Sequence, residues 1–380
     1  MTGILSELDI KRTINACGIY TDLGGSRLSP GVVEAMLDLN RDFVQLGPLL
    51  DETGKWIAKQ FDAEAARVTP GAAAAIMLGT AACLAGLDGD RSEQLPDTTG
   101  MKPKVLIQSA HRYKYDRQVS MTGAVLTEIG SQNGTRADQF VDALAGDDVC
   151  MITHPAHLDG KPGTLPLEEV VAIARAHNVP VLVDAAYMVY PTELIGSYIA
   201  RGADLVTISA KYYLGPNSGG FIMGRRDLIN AVSNVHFTAY ETGAVLKYGR
   251  PLKMDRQTIV AVVVALDEWL KMDHEQRYAG YARQVERLRD RLSGLPGLTL
   301  EPKCFTMEED FADEPVNALL IMVDEAKAGM SAAELNEALF TGAPCIAAIQ
   351  EGDKLAIVMD VLRDEEVDII GRQIRESLGA

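Results

Sequence analysis

Two side chains of opposite charge stand where two predicted strands end. The apolar run VLVD ends in Asp184, and a second apolar run over residues 204–209 is followed by Lys211. In an open α/β sheet, ligands bind outside the carboxyl ends of the strands. A lysine that forms a Schiff base and a carboxylate that keeps a pyridine nitrogen protonated are the pair that pyridoxal phosphate chemistry requires. Taken alone, an aspartate and a lysine would more simply be a turn cap and a surface side chain, so the surrounding sequence decides.

The surrounding sequence contains five motifs of one enzyme family, in the family's order. They are INACGIYTDLGGSRLSPGVVEAM, EAARVTPGAAAAI, VPVLVDAA, ISAKYYLGPNSGGFIMG and GRPLKM. The chain thereby resembles fold type I pyridoxal phosphate enzymes of the selenocysteine synthase (seryl-tRNA selenium transferase) and D-glucosaminate-6-phosphate ammonia-lyase family. The resemblance extends over residues 14–268 and continues more weakly to the C-terminus. It implies that Lys211 holds the cofactor and that Asp184 supports the ring nitrogen.

The order of predicted elements indicates the fold class. Strands and helices alternate, which is typical of an α/β fold with a mostly parallel sheet. At 380 residues the chain is expected to form two domains. The resemblance implies an aspartate aminotransferase-like fold, with a large cofactor-binding domain around a mostly parallel seven-stranded sheet flanked by helices, and a smaller C-terminal α/β domain. The predicted order is an N-terminal helical arm over residues 1–13, the large domain over 14–255, a linking helix over 256–295 and the small domain over 296–380.

A turn of small residues before an apolar helix offers a place for the cofactor phosphate. Gly71, Ala72 and Ala73 stand at the predicted helix start, where backbone N–H groups lack helical partners and small side chains let an anion approach. The resemblance places the phosphate here, and Ser209, two residues before Lys211, is expected to hydrogen-bond to it. An alanine-rich helix start also has a simpler explanation, since alanine is a good helix former.

Three further residues are expected to contact the cofactor ring. His111 follows a predicted strand at the position where this fold commonly stacks a ring on the pyridine face, and a purely structural histidine is the alternative. Ala186 ends the motif VLVDAA and is small enough to pack flat against the ring. His157 is expected near the ring hydroxyl. Tyr113 and Tyr115 are weaker candidates for the pocket.

The pair His154 and His157 has the H-x-x-H spacing of some metal sites. Pro155 disfavours a helix that would present both rings on one face, and no third ligand is spaced with the pair. We therefore expect no metal in this protein.

Two arginines are candidates for binding a substrate carboxylate. Arg27 follows the turn DLGGS, and a guanidinium offers two parallel donors to a carboxylate. A structural or solvated arginine is the alternative there. Arg250 lies in GRPLKM, within the segment 236–254, which resembles the part of the family that completes the partner subunit's site. The resemblance thus implies a homodimer or higher homo-oligomer with shared active sites.

Composition argues against several classes of function. The formal net charge is −17, whereas nucleic-acid binding requires clustered Lys and Arg. No apolar run is long enough to span a bilayer, and the N-terminus lacks the basic and apolar regions of a signal peptide. The 5 cysteines are widely spaced with no C-x-x-C pair, which fits reduced thiols. We expect a cytoplasmic protein with a small-molecule substrate and without nucleic-acid or membrane partners.

The expected function is that of a pyridoxal phosphate enzyme acting at Cα and Cβ of an amino acid or amino sugar acid. β-Elimination with release of ammonia, through a Schiff base at Lys211, is the leading prediction. The same apparatus would serve an amino-acid racemase, an epimerase or an aminotransferase, and a non-catalytic pyridoxal phosphate sensor is a remote alternative. The Ser-Ala-Lys and Gly-Pro-Asn sequences depart from the usual family pattern, and no basic cluster stands out for a sugar phosphate. A smaller amino acid or hydroxyamino acid therefore stays open as the substrate.

Overall fold

The chain divides into two units, each with its own sheet. The computed structural model describes Ile4, Glu7, Leu8 and residues 10–306 and 310–380, and the helical arm predicted over residues 1–13 lies partly outside these described residues. One unit is Leu28–Leu270, and the other joins the residues up to Arg27 with Lys271–Ala380. Among the helices that the structure describes, none has the length and hydrophobicity that crossing a membrane needs.

Strands and helices alternate along most of the chain. The strands of the described residues are β1 (Thr13–Asn15), β2 (Ala65–Thr69), β3 (Lys104–Gln108), β4 (Val125–Ile129), β5 (Val149–Pro155), β6 (Val181–Asp184), β7 (Leu205–Ser209), β8 (Gly220–Gly224), β9 (Leu298–Phe305), β10 (Phe311–Ala312), β11 (Ala318–Val323), β12 (Cys345–Ala347), β13 (Ile349–Glu351) and β14 (Lys354–Val358). The helices are α1 (Pro30–Asn40), α2 (Leu46–Gln60), α3 (Ala72–Ala85), α4 (Gly89–Gln94), α5 (Arg117–Ser120), α6 (Ala137–Leu144), α7 (Leu167–Ala176), α8 (Glu193–Ala200), α9 (Arg226–Val235), α10 (Arg256–Lys271), α11 (His274–Leu292), α12 (Glu325–Ala328), α13 (Ala332–Thr341) and α14 (Asp364–Ser377).

The unit Leu28–Leu270 is built on a seven-stranded sheet with the order β2-β8-β7-β6-β5-β3-β4. Strands β7, β6, β5, β3 and β4 pair in parallel, and β8 runs antiparallel to its neighbours β2 and β7. Strands β5 to β8 are buried along their whole length. This confirms the predicted α/β fold with a mostly parallel sheet.

Helix α3 lies against the middle of this sheet. Its residues are apolar nearly all round and most of them are buried, as expected for a helix inside a domain. Gly79 permits a close approach, because a Cβ there would lie 2.7 Å from Leu182 Cδ1 and 3.0 Å from Ile222 Cδ1. The helix starts just beyond the carboxyl end of β2, so its N-terminus lies at the same sheet edge as the ends of the parallel strands.

Short 3-10 turns follow the carboxyl ends of three parallel strands, and each turn carries one candidate site residue. The turns are Ser109–His111 after β3, Ala156–Leu158 after β5 and Ala210–Tyr213 after β7. Because parallel strands end at one edge, residues that are far apart in the sequence come together there.

The other unit contains a five-stranded antiparallel sheet with the order β10-β9-β11-β14-β13. A separate parallel pair joins β1 to β12. Helices α11, α13 and α14 contribute Leu288, Leu335 and Ile370 to a core that also includes Ile321 and Ile357 of the sheet. This unit holds its own hydrophobic core.

The observed boundaries differ from the predicted ones in two respects. The linking helix predicted over residues 256–295 is instead two helices, α10 and α11, because Asp273 caps the second helix by accepting a hydrogen bond from the Gln276 N–H. The second difference concerns the unit boundaries. One of them falls at Lys271. The residues up to Arg27 belong to the unit with the C-terminal sheet, because β1 pairs with β12.

We predict that Gly54→Ala destabilises the large unit. A Cβ at Gly54 in α2 would lie 2.1 Å from the carbonyl oxygen of Ala66 in β2, and a backbone atom cannot rotate away. The expected loss is about 1–3 kcal/mol, the usual cost of overpacking, seen as a lower midpoint in urea unfolding.

Gly47→Ala is the control in the same helix. Apart from its chain neighbours and the backbone of its own helix, no described atom lies within 4 Å of a Cβ at Gly47, so this variant should unfold at the parental midpoint or slightly above it. Equal midpoints for Gly54→Ala and Gly47→Ala would contradict the close packing of α2 on β2.

Candidate active site

The carboxylate of Asp184 is buried at the carboxyl end of β6, with 5% of the residue exposed. Its Oδ1 accepts hydrogen bonds from the Thr207 hydroxyl and the Ala186 N–H, both at 3.2 Å. Its Oδ2 accepts one from the Tyr113 hydroxyl at 2.5 Å. Burial raises the pKa of Asp184, while these donors and the nearby His157 oppose the rise. The donors therefore favour a charged carboxylate in a buried place.

Lys211 lies in the 3-10 turn that follows β7 and is 9% exposed. Its Nζ lies 4.8 Å from the centroid of the Tyr212 ring. Strand β7 is the parallel neighbour of β6, so the lysine follows the strand beside the one that ends in Asp184. The chain behind the lysine is closely packed, because a Cβ at Gly219 would lie 2.5 Å from Val262 Cγ2. Glycine permits this close approach.

A row of aromatic rings connects the surroundings of Asp184 with those of Lys211. Neighbouring ring centroids in the row lie 5.3, 5.5 and 5.8 Å apart. The rings are half-buried and belong, in order, to Tyr113, His157, Tyr187 and Tyr212. Tyr113 bonds to Asp184 at one end, and Tyr212 lies beside Lys211 at the other. Flat side chains with a polar tip suit one wall of a pocket for a planar ring.

The start of α3, the carboxyl end of β7 and the start of β8 form a second part of the edge. Gly71, with a φ of 86°, precedes α3, whose first residues are Ala72 and Ala73. Ser209 at the end of β7 pairs with Gly220 of β8, which lies between Ser209 and the strand that leads into α3. A Cβ at Gly220 would lie 2.9 Å from the Gly71 carbonyl carbon, so small residues let these segments meet. Free N–H groups at a helix start together with a serine hydroxyl suit a phosphate.

His111 is fully buried, and its ring packs edge-on against His154 with the centroids 5.0 Å apart. Burial lowers the pKa of His111 to about 4, so the ring is neutral at neutral pH. His154 in turn lies 3.1 Å from Asp159. The side chain of this segment that bonds to Asp184 is Tyr113. The sequence alone favours His111 over Tyr113 as a pocket residue, because no local pattern pairs Tyr113 with Asp184, which is 71 positions away.

The two candidate substrate arginines are both paired with acids. Arg27 lies in the unit that contains the C-terminal sheet. Its guanidinium donates to both carboxylate oxygens of Glu366, at 2.9 and 2.6 Å, and to the Val361 carbonyl oxygen at 2.9 Å. Arg250 bonds to Glu241 at 2.8 Å. These contacts give Arg27 a structural partner in its own unit, and substrate binding by either arginine stays a prediction.

Comparisons with known proteins show which proteins this chain is similar to. The family model described as SelA, L-seryl-tRNA selenium transferase, matches residues 13–378. A 5'-C-glycyluridine monooxygenase-decarboxylase from Streptomyces sp is 32% identical over 350 residues, which cover 90% of this chain and 82% of the relative. The D-glucosaminate-6-phosphate ammonia lyase of Salmonella typhimurium is 28% identical over 345 residues, which cover 90% of this chain and 87% of the relative.

A solved structure extends the similarity to the fold. The structure described as D-glucosaminate-6-phosphate ammonia-lyase has a TM-score of 0.86 at 25% identity, and the match covers 100% of this chain and 98% of that chain. The family resemblance and the fold class predicted from the motifs are thereby confirmed. The names of the relatives differ in the reaction, and the monooxygenase-decarboxylase was not among the expected activities.

We predict that Arg27→Ala destabilises the protein in a pH-dependent manner. Burial alone would raise the pKa of Glu366, but hydrogen bonds from Arg27 and Arg363 lower it to about 2. Because the folded-state pKa lies below the ordinary value for glutamate, the stabilisation is present above about pH 4 and is lost as the pH falls toward 2. The loss at pH 7 should be about 1–2 kcal/mol, a modest value because 46% of the Arg27 side chain is exposed.

Urea unfolding at pH 7 and at about pH 3.5 measures this difference. Arg41→Ala is the control, since its pair with Asp38 is exposed on both sides and should contribute little at either pH. If Arg27→Ala left the stability unchanged and raised the KM, the predicted structural role would be contradicted and binding of a substrate carboxylate by Arg27 would be supported.

Proposed function

This chain belongs to the L-seryl-tRNA selenium transferase family, and we propose that it is a pyridoxal phosphate enzyme that acts at Cα and Cβ of an amino acid or amino sugar acid. The observation that carries the proposal is the buried Asp184 with three donors, on the strand next to the one that leads to Lys211. A buried carboxylate and a buried lysine at the carboxyl ends of neighbouring parallel strands are the pair that this cofactor needs.

The side chains at this edge fit the cofactor. Asp184 would hold the ring nitrogen, Lys211 would bind the aldehyde carbon, and Ser209 with the N–H groups at the start of α3 would hold the phosphate. Ala186 is small enough to lie against the ring, and His157 belongs to the row of rings at the same edge. When bound, pyridoxal phosphate supplies an electron sink for the charge that develops at the substrate Cα.

In the proposed mechanism Lys211 moves a proton at the substrate Cα. Its amine lies at the end of β7, and a positioned base of this kind contributes a factor of about 10²–10⁴ to the rate. Burial raises the pKa of Asp184 and its donors oppose that rise in favour of the charged form, which would keep a proton on the ring nitrogen. The two side chains thus have separate tasks, proton transfer and support of the ring.

We favour an ammonia-lyase reaction among the outcomes of this proton transfer. Loss of a β-hydroxyl followed by release of ammonia is supported by the name of the Salmonella relative and by the solved structure with a TM-score of 0.86. Return of the proton to the opposite face would make the protein a racemase, and transfer of the amino group would make it an aminotransferase. A sensor would bind the cofactor and catalyse none of these reactions.

A second candidate reaction has support of its own. The relative at 32% identity is named a monooxygenase-decarboxylase of 5'-C-glycyluridine. Oxidative loss of the substrate carboxylate, with dioxygen as the oxidant, is therefore the alternative. The two reactions differ in what they consume, because only the oxidative one takes up dioxygen and releases carbon dioxide.

We further propose that the protein works as a homodimer or higher homo-oligomer. Helix α1 and the loop after it expose apolar side chains, among them Leu37 and Phe43, and Phe43 is 93% exposed. Exposed apolar side chains grouped in this way mark interaction surfaces. Sedimentation velocity tests the proposal, and a fully active monomer at assay concentrations would contradict it.

We predict that Lys211→Ala removes both the visible absorbance of the cofactor-loaded protein and its activity, the latter by a factor of about 10²–10⁴. The amine that binds the aldehyde and moves the proton is lost, so both readouts should fall together. Lys114→Ala is the matched control, because Lys114 is an exposed lysine close to the same edge. A colourless parent protein after incubation with pyridoxal phosphate would refute the cofactor assignment.

We predict that a screen of D- and L-hydroxyamino acids and amino sugar acids will yield ammonia and a keto acid in equal amounts. Uptake of dioxygen and exchange of the Cα proton with solvent are measured in the same reactions. Exchange without ammonia would identify a racemase, and uptake of dioxygen with release of carbon dioxide would identify the oxidative reaction. Lys211→Ala should lose activity by the same factor of about 10²–10⁴ in every assay.

A further inference from the structure

We propose that Tyr113 is a positioning residue that keeps Asp184 charged and directs the remaining lone pair of Oδ2 toward the cofactor ring nitrogen. A carboxylate has about four acceptor positions. Thr207 and the Ala186 N–H occupy two of them on Oδ1, and Tyr113 occupies one on Oδ2. One acceptor position on Oδ2 is left for a further donor. The part that concerns the ring nitrogen rests on the proposed function, whereas the part that concerns the charge of Asp184 does not.

The hydroxyl of Tyr113 is suited to be a permanent donor. Burial and the adjacent charge of Asp184 raise the pKa of Tyr113 far above its ordinary value, so the hydroxyl keeps its proton over the working pH range. The other ionisable groups around Tyr113 are Asp116, Tyr115 and His157, and His157 also lies near Asp184. A donor that cannot lose its proton stabilises the charged form of its acceptor.

The loop after β3 holds Tyr113 in place. The Tyr113 N–H donates to Asp116 Oδ2 at 3.1 Å, and the same carboxylate accepts from the Arg112 guanidinium. The ring of Tyr113 packs against that of His157 with the centroids 5.3 Å apart. Main chain and ring are therefore both fixed, and the hydroxyl reaches Asp184 from a defined direction. Replacement by phenylalanine keeps these contacts and removes only the hydroxyl.

The cofactor-free protein provides the first test. The pKa of Asp184 is raised in the folded state, so its ionisation destabilises the fold as the pH rises, and the Tyr113 hydroxyl offsets part of that effect. Tyr113→Phe should lower the folding equilibrium constant about 10- to 100-fold at pH 8 and by less at pH 5. In an Asp184→Asn background the effect should no longer depend on pH. A tyrosine that only fills space would cost the same at both pH values and in both backgrounds, which would overturn the proposal.

Cofactor affinity provides the second test. Fluorescence titration with pyridoxal phosphate should show about 10- to 100-fold weaker binding for Tyr113→Phe than for the parent protein. Tyr281→Phe is the matched control, since it removes a hydroxyl that donates to the Asp360 carbonyl oxygen within the other unit and should bind like the parent. Equal affinity of Tyr113→Phe and the parent would refute the positioning role and leave the proposed function intact. A parent protein that binds no pyridoxal phosphate would refute the proposed function, and the unfolding experiments would still decide whether Tyr113 keeps Asp184 charged.

Discussion

The candidate site depends on one carboxylate that is buried inside the protein and held by three donors. Moving an ionised carboxylate out of water is costly unless donors replace the lost water. Asp184 finds these donors on three segments, namely its own at Ala186, the neighbouring strand at Thr207 and the loop after β3 at Tyr113. A parallel sheet whose strands end at one edge brings the three segments to the same point. The fold therefore supplies the donors that favour the charged form of Asp184.

The loops that follow β3 and β5 are joined by hydrogen bonds outside the sheet. The side chain of Gln108 bonds to both the N–H and the carbonyl oxygen of Leu165, and Lys161 Nζ donates to a main-chain carbonyl oxygen of the turn after β3. These contacts join the segment that leads to Tyr113 with the segment that carries His157. The two rings thus keep their spacing because their supporting loops are held, which is the kind of preorganisation that a binding site needs.

Much of this edge can be predicted from the sequence, because buried parallel strands read as unbroken apolar runs. The strand Val181–Asp184 has the predicted bounds, and Leu205–Ser209 begins one residue later than predicted. The contact between Tyr113 and Asp184 does not follow from any local pattern, since it depends on which strands are neighbours. The break between α10 and α11 does not follow either, because residues on both sides of Asp273 favour helix.

Support of the ring nitrogen does not by itself select a reaction. Relatives that are 28% and 32% identical, each matched over 90% of this chain, are named for ammonia elimination and for oxidative decarboxylation. In the proposed chemistry, Asp184 and Lys211 would assist the breaking of any bond at Cα. The side chains that bond to Asp184 would support the ring in the same way for either reaction. The choice between the two reactions must therefore come from side chains other than Asp184 and Lys211.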